Sequence, residues 1–472
     1  MIRVRQQRLK YVLGDYVSSF VAWEAYNCIR YSMSATHGGF KTLGDFLSST
    51  NVLLGCLVFP LLMMGVYWLS GYYNEVMRKS RLQEVFTTFW TAVINTLIIF
   101  FLALINDVLP PRRLNYEMLF ILWSLLFFIV YAVRCVITSI TSHRIKHRKW
   151  SSRTLIVGCG ALATAFVERL NNMKNSLGYN VVGYVKIPGE NHVKITSLPC
   201  YDIDKIKEVC HNEQVEELIV VPSKQDSQMV LDTINRLFEL HLPIKTTPNR
   251  NNVLLSQVRI SDMQGEPLVD ISGSNMSACE KNIKRLIDVV VSIVALIVLF
   301  PFFLVIAVAI KLDSKGDIIY RQERVGYHNI PFMINKFRSM VSNAEANHMP
   351  QLTTDDDPRV TRVGRFMRKY RIDELPQFWN VLRGDMSIVG PRPERQYYVD
   401  QIQQFVPSYA LLHQVRPGIT SLGMVKYGYA KNVDEMIERL NYDLIYLENM
   451  SLINDFKIMV YTIRIVFTGR GM

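Results

Sequence analysis

The chain has 472 residues, 49% of them hydrophobic and 20% charged, with a mean hydropathy of +0.12 and a formal charge of +12. That is too apolar for an ordinary soluble protein and too charged for a pure membrane bundle, and at about 100–200 residues per domain the length allows three units. The positive excess, without an aromatic–basic RNA-binding signature, points to membrane flanks and anionic headgroups and argues against nucleic acid as a partner.

The basic start, Met1 to Lys10, is followed by no small-residue cleavage site, so no removable signal peptide is expected. Four apolar stretches come next: Tyr11 to Ala25, Asn51 to Tyr72, Val85 to Ile105 and Met118 to Ile137. The last three are long enough to cross a hydrocarbon core of about 30 Å. The first carries Asp15 and Glu24 and leaves an interfacial helix open as the alternative. Arg3, Arg5, Arg8 and Lys10 precede the set, Arg78, Lys79 and Arg81 fill the second loop, and Arg144, Lys146, Arg148, Lys149 and Arg153 follow it. The other loops offer only Arg30 with Lys41, and Arg112 with Arg113. Both ends of a four-helix unit should therefore be cytoplasmic.

The middle of the chain reads as an α/β doubly wound domain, roughly residues 151 to 265. Arg153 to Val157 is a strand entering the turn Gly158-Cys159-Gly160, and Ala161 to Leu170 is a helix with Ala163 in the last position of a G-x-G-x-x-A pattern. Further strands are expected at Asn180 to Val185 and Glu217 to Val221. The turn suits a phosphate at a helix N-terminus. The second strand, however, ends Tyr184-Val185-Lys186 with no acidic residue for a ribose. A dinucleotide, another nucleotide and a structural or regulatory role all stay open. Tyr201 and Lys205 form a Y-x-x-x-K pair that reads as coincidental spacing. The seven cysteines, Cys28, Cys56, Cys135, Cys159, Cys200, Cys210 and Cys279, are scattered without C-x-x-C, which argues against a disulfide framework or a zinc site.

A fifth apolar stretch, Val289 to Ile310, has cations on both flanks: Lys281, Lys284 and Arg285 before it, and Lys311, Lys315, Arg321 and Arg324 after it. Pro301 sits near its middle and should bend it. A bent helix that enters and leaves one face satisfies both facts. A fifth crossing with a mild kink is the alternative, and it would carry everything downstream to the far side.

Chemistry concentrates after this stretch. Asp373 and Glu374 are adjacent just before Pro376, which predicts a turn or a helix start. Such carboxylates serve as nucleophiles toward phosphorus or hold Mg²⁺ beside substrate phosphates. Lys336, Arg338, Arg371 and Arg392 are suited to clamp a diphosphate. Taken singly, an Asp–Glu pair more often reads as a solvated helix start, and Arg338 or Arg392 as a surface ion pair. Asp355-Asp356-Asp357 lies in a polar, loop-like run and is a weaker metal candidate.

From Lys281 onward the chain resembles the bacterial sugar transferases, the monotopic phosphoglycosyl transferases. The matching elements run in order: Lys284 to Asp288, Pro301, Gln322 to Gly326, Lys336 to Met340, Asp357 to Thr361, Asp373 to Gln377, Gly390 to Pro393 and Arg416 to Thr420. With its upstream parts the chain resembles the long form, the polyprenyl glycosylphosphotransferases. The resemblance implies three parts: a four-helix transmembrane unit over 1–145, a Rossmann-like α/β domain over 146–270, and a mainly helical catalytic domain over 271–472. The last would contain a re-entrant helix over 284–311 that carries Asp288 and Pro301. It further implies that Asp373 attacks a UDP-sugar, UMP leaves, and undecaprenyl phosphate takes up the phosphosugar, with Mg²⁺ at Asp373 and Glu374 completing the dyad.

Arg324, Lys336, Arg338, Arg371, Gln377, Arg392 and Arg416 are the implied substrate-binding residues. The implied setting is the bacterial cytoplasmic membrane, with the catalytic domain at the cytoplasmic face among membrane lipid, and a homodimer is compatible with it. The product would initiate exopolysaccharide, capsule or O-antigen synthesis. Ser421 to Lys426 departs from the glycine–aromatic–glutamine continuation of many relatives, so the sugar is left unassigned. Two competing readings are a nucleotide-sugar oxidoreductase or dehydratase working through the middle domain, and a non-catalytic scaffold for glycan assembly.

Overall fold

The computed structural model describes residues 2–33, 39–104, 112–189, 198–222, 228–240, 242–247, 268–271, 276–341 and 357–468. By its contacts the chain divides into two compact units, Met1–Trp150 with Ser277–Ile283, and Ser151–Met276 with Lys284–Met472.

In the first unit four long helices, Ile2–Met33, Thr50–Leu69, Arg81–Ile99 and Arg112–Lys146, pack around Tyr11, Tyr26, Met63, Tyr67, Leu122 and Leu126. Stretches Thr50–Leu69, Arg81–Leu102 and Arg113–Lys146 are long and apolar enough to cross a membrane, as is Ala278–Asp313 further on. The first helix is also long, at 32 residues, and its polarity is inverted. Gln7, Asp15, Ser18, Ser19 and Asn27 are buried, whereas Leu9, Leu13, Val17 and Val21 face outward. A surface helix of a soluble protein does the opposite; this pattern fits a helix with lipid outside and polar partners inside. The chain is a membrane-embedded protein.

Asp15, the residue that weakened the first stretch as a membrane segment, is matched from the fourth helix. Arg134 donates from Nε to Asp15 Oδ1 at 2.8 Å and from Nη2 to Oδ2 at 2.7 Å, and Tyr73 adds a hydroxyl at 2.8 Å. Neither Arg134 nor Asp15 is more than 1% exposed. A bidentate pair in so dry a place tolerates no loss of one partner. Arg134→Leu is expected to destabilise the unit by about 3–5 kcal/mol. The check is thermal unfolding in detergent, with Arg134→Leu/Asp15→Asn recovering part of the loss.

In the second unit a six-stranded sheet has the order β3-β2-β1-β4-β5-β6. Its strands are β1 (Ser152–Val157), β2 (Tyr179–Lys186), β3 (Cys200–Asp202), β4 (Glu217–Val220), β5 (Ile244–Thr246) and β6 (Val269–Asp270). All neighbours are parallel except β5 and β6. Leu155, Val157, Leu218 and Val220 point into one core with Ile203 and Phe238. The intervening Ile156 and Ile219 point into another with Phe166 and Val167. Alternation between two dry faces is what a sheet covered on both sides requires. Gly158 is obligatory at the first turn: its φ is +129°, and a Cβ there would lie 2.2 Å from the Val221 carbonyl oxygen. Tyr201 lies against β2, where a Cβ on Gly183 would sit 2.8 Å from its ring.

The helix Ala278–Asp313 runs without interruption through Pro301. Its two ends are bonded to the same group of downstream elements. Near the start, Lys284 Nζ donates to the Val389 carbonyl at 2.8 Å, Arg285 Nη1 to the Val381 carbonyl at 2.7 Å, and Asp288 accepts from the Ile388 N–H at 3.0 Å. At the other end Asp313 accepts from the Val363 N–H at 3.0 Å, and Ile306 and Ile310 pack on Phe337 and Met367. Between them Ile297, Val298 and Val305 are 65–70% exposed.

The final two helices divide their roles. Val433–Glu448 buries Met436, Leu440 and Tyr446 in the core. Leu452–Thr468 buries Asp455 and Ile458 but exposes Ile453, Phe456, Val460, Ile463 and Phe467, a stripe at helical spacing.

Candidate active site

The downstream elements converge on one turn. Strands β7 (Ile319–Val325) and β8 (Pro331–Phe337) form an antiparallel hairpin with Lys336 opposite Tyr320. Asn380, on the helix Gln377–Arg383, accepts from the Asn335 N–H at 3.0 Å and so fixes the hairpin to that helix. Strands β9 (Ser387–Val389) and β10 (Gly418–Thr420) are parallel, which brings Gly390 to Pro393 beside Arg416 to Thr420. The approach is close: a Cβ on Gly390 would lie 2.3 Å from the Arg416 carbonyl oxygen. Ile372–Glu374 is a single 3₁₀ turn, in line with the turn expected ahead of Pro376. It is entered through Arg371 in the left-handed region at φ 55° and ψ 25°, a conformation a bulky residue adopts only when its surroundings enforce it.

Both carboxylates are buried, Asp373 at 7% and Glu374 at 3% exposure. Their environments differ. Glu374 Oε1 accepts from Lys336 Nζ at 2.9 Å and lies 3.5 Å from Arg392 Nη1, and its Oε2 lies 3.9 Å from Arg371 Nη1. Burial alone would raise its pKa, but Lys336, Arg392 and Arg371 outweigh that and hold it well below the usual carboxylate range. Among the described residues none donates a hydrogen bond to Asp373. Burial, with the negative charge of Glu374 added, pushes Asp373 up to about 6 against the pull of Lys336. Glu374 is thus the fixed counter-ion, and Asp373 the carboxylate with open lone pairs.

Lys336, Arg368, Arg371 and Arg392 act on the two carboxylates, leaving a surplus of two positive charges. Behind them Glu394 binds Arg439 at 2.6 Å and Arg324 at 3.0 Å, with Arg392 at 3.9 Å. Tyr429 lies over Arg371 and Arg392, its ring centroid 5.2 and 5.3 Å from the two guanidiniums. Met424 Sδ lies 3.1 Å from Arg392 Nη1. Ser421 caps the short helix Leu422–Lys426 that carries Met424, so the departing segment reaches the cluster directly.

Of the sequence-derived candidates, Lys336, Arg371, Asp373, Glu374 and Arg392 come together, with Arg324 one step behind through Glu394. Gln377 is buried in the first turn of the next helix. Arg338 is turned elsewhere: its Nη2 donates to the carbonyl and hydroxyl oxygens of Ser314 at 2.7 and 3.0 Å, tying down the end of the long helix. Arg416 is exposed, donates to the Gly384 carbonyl at 2.9 Å and lies 5.5 Å from the Tyr327 ring. Among the described residues no bond joins Arg338 or Arg416 to either carboxylate.

Asp357 is engaged by Arg359, at 2.6 Å between Nη2 and Oδ2, while Asp355 and Asp356 lie outside the described residues. Among the described residues no group of three metal-ligating side chains occurs. Arg368, Glu394, Tyr429, Met424 and Arg439 were not singled out in the sequence. The runs Arg365 to Arg371 and Arg392 to Arg395 were the available signal, as dense charge beside a motif.

Comparison with known proteins covers this region. Residues 279–469 match the bacterial sugar transferase family model, and residues 69–248 match a CoA-binding domain model. A UDP-N-acetylgalactosamine-undecaprenyl-phosphate N-acetylgalactosaminephosphotransferase of Aeromonas hydrophila is 42% identical over 231 residues, 49% of this chain and 54% of that one. A UDP-glucose:undecaprenyl-phosphate glucose-1-phosphate transferase of Klebsiella pneumoniae is 35% identical over 251 residues, 53% of this chain and 54% of that one. A protein of the same name from Caulobacter vibrioides (strain ATCC 19089 / CIP 103742 / CB 15) is 42% identical over 187 residues, 39% of this chain and 70% of that one. The chain thus spans about half the length of the first two relatives and most of the third. The residues that build the buried dyad and its cations all fall inside the matched segment, and the chain belongs to the bacterial sugar transferase family.

Proposed function

We propose that this protein is a phosphoglycosyl transferase that moves a sugar-1-phosphate from a UDP-sugar to undecaprenyl phosphate. The observation that carries this reading is Asp373: a buried carboxylate without a hydrogen-bond donor among the described residues, inside a cluster with two surplus positive charges. Such a basin attracts a diphosphate and offers it one nucleophile. An Asp373 oxygen attacks the phosphorus bonded to the sugar, the bond to the bridging oxygen breaks, and UMP departs with the electron pair. An oxygen of the lipid phosphate then attacks the same phosphorus, releases the aspartate and yields the lipid diphosphate sugar.

Lys336 and Arg392 steady Glu374 and face the developing negative charge. The donor set also suits Mg²⁺: one open carboxylate on Asp373, with substrate phosphates supplying the other oxygens, is how this ion is commonly held, and it would neutralise charge on the diphosphate.

The setting in this proposal is the cytoplasmic face of a bacterial inner membrane, with the helix 284–311 re-entrant. Three things support it: cations on both flanks of that helix, both its ends bonded to one group of elements, and an apolar middle left exposed. The exposed stripe on Leu452–Thr468 supports a second contact with the same lipid surface. The relatives' names differ in their sugar, N-acetylgalactosamine in one and glucose in two others.

The purified chain in detergent should release UMP from a UDP-sugar panel only when undecaprenyl phosphate and Mg²⁺ are present; no release from any donor would sink the activity. Topology is read separately. In a cysteine-free background, Lys281→Cys and Lys315→Cys should react with an impermeant thiol reagent from the same side. Labelling from opposite sides would make the helix a fifth crossing.

A further inference from the structure

We propose that Cys159 and Cys200 form a reversible disulfide at the ligand-facing edge of the α/β sheet. Cys159 is the middle residue of the glycine turn after β1, and Cys200 opens β3. The register brings these places together, because Val157 pairs with Val185 and Cys200 with Tyr184 on the intervening strand. The two sulfurs lie 2.7 Å apart, across a sequence separation of 41. Reaching a normal S–S bond asks them to close by less than about 1 Å. The backbone on the turn side is fixed by Gly158, which has no room for a Cβ.

The exposures suit a two-step exchange. Cys200 is exposed on an edge strand and Cys159 is fully buried behind it. The Cys200 thiolate attacks a low-molecular-weight disulfide of the oxidised glutathione class and releases one thiol. The Cys159 thiolate then attacks the Cys200 sulfur of the mixed disulfide and releases the second. Two protein thiols are oxidised to one disulfide while the reagent disulfide is reduced to two thiols. In a reducing compartment the pair rests as thiols, so the bond is a response to oxidation rather than a structural brace.

Its position gives it a consequence. In doubly wound sheets ligands bind beyond the carboxyl ends of the strands, where the Gly158-Cys159-Gly160 turn lies. Oxidation ties that turn to β3 and makes the crevice sensitive to thiol state. Cys210, half-buried on the helix Ile206–Asn212 with its thiol pushed up to about 11 by desolvation, is a third thiol of the same domain that should stay unreacted.

The test uses the full chain in native membranes, treated with oxidised glutathione, alkylated, digested and analysed by mass spectrometry. The expected result is one linked peptide pair joining Cys159 to Cys200, about 2 Da lighter than the two thiol peptides together. It should revert with dithiothreitol and be absent from Cys200→Ser. That substitution is at an exposed position and should fold normally; Cys159→Ala is the companion variant. Full alkylation of both cysteines after oxidant would overturn the proposal. So would glutathione remaining on Cys200 beside an unreacted Cys159, or a link from Cys200 to Cys210.

Discussion

Asp373→Asn is expected to lower UMP release by about three orders of magnitude or more while making the protein more stable at neutral pH. The loss follows from the proposed nucleophile; the gain follows from its burial. Moving an aspartate from 3.8 to about 6 means that the fold disfavours its charged form. The fold's stability is fully present where this group is protonated, and it declines as pH rises from the unfolded value through about 6. Above that the ionised side chain costs about 3 kcal/mol, which asparagine removes. Thermal unfolding at neutral pH should therefore shift upward in the variant, and the difference should vanish at low pH. A variant that keeps full activity would sink the covalent route. The same displacement predicts that wild-type activity falls as pH drops through about 6, well above the range of an ordinary aspartate. Lys336→Met, which removes the strongest opposing charge, should move that limb to higher pH.

Glu374→Gln is expected to do the reverse to stability. Glu374 is the anion that Lys336, Arg392 and Arg371 share, and removing its charge leaves buried cations facing one another. The loss should be about 3–5 kcal/mol at neutral pH. Because its folded pKa lies below 4.5, the stabilisation is present above that value and disappears as pH falls through the lowered folded one. The gap between variant and wild type should accordingly narrow in acid. Glu374 also raises Asp373, so the acid limb of residual activity should move to lower pH. An unchanged melting temperature would show that the cluster is not held together by this carboxylate.

The sequence by itself determined the membrane character, the segment that carries the chemistry and the core of the dyad's cation set. Long apolar runs, charged flanks and the order of short motifs are local properties, and the chain displays them without folding. It also yielded three of the six strands of the α/β sheet, the three in that sheet with four or more residues. β3, β5 and β6 have three, three and two residues, too few to show a period, and are held by pairing: β3 on β2, β5 on β4 and β6 on β5.

What tertiary structure alone decided concerns distance along the chain. Asp15 and Arg134 are 119 residues apart, and only helix packing turns a charge that argued against a membrane segment into half of a buried pair. Arg338 stood in a motif two residues from Lys336, and an unbroken strand would put both on one face; β8 ends at Phe337, so Arg338 turns to Ser314 while Lys336 reaches Glu374. Glu394, Tyr429, Met424 and Arg439 come from separate elements, and no local spacing announces a cluster assembled that way. The resemblance implied a division between Asp373 and Glu374, but its physical cause lies only in the fold. Two adjacent carboxylates are chemically near-equal in sequence, and they part only because folding gives the cations to one and leaves the other desolvated and open.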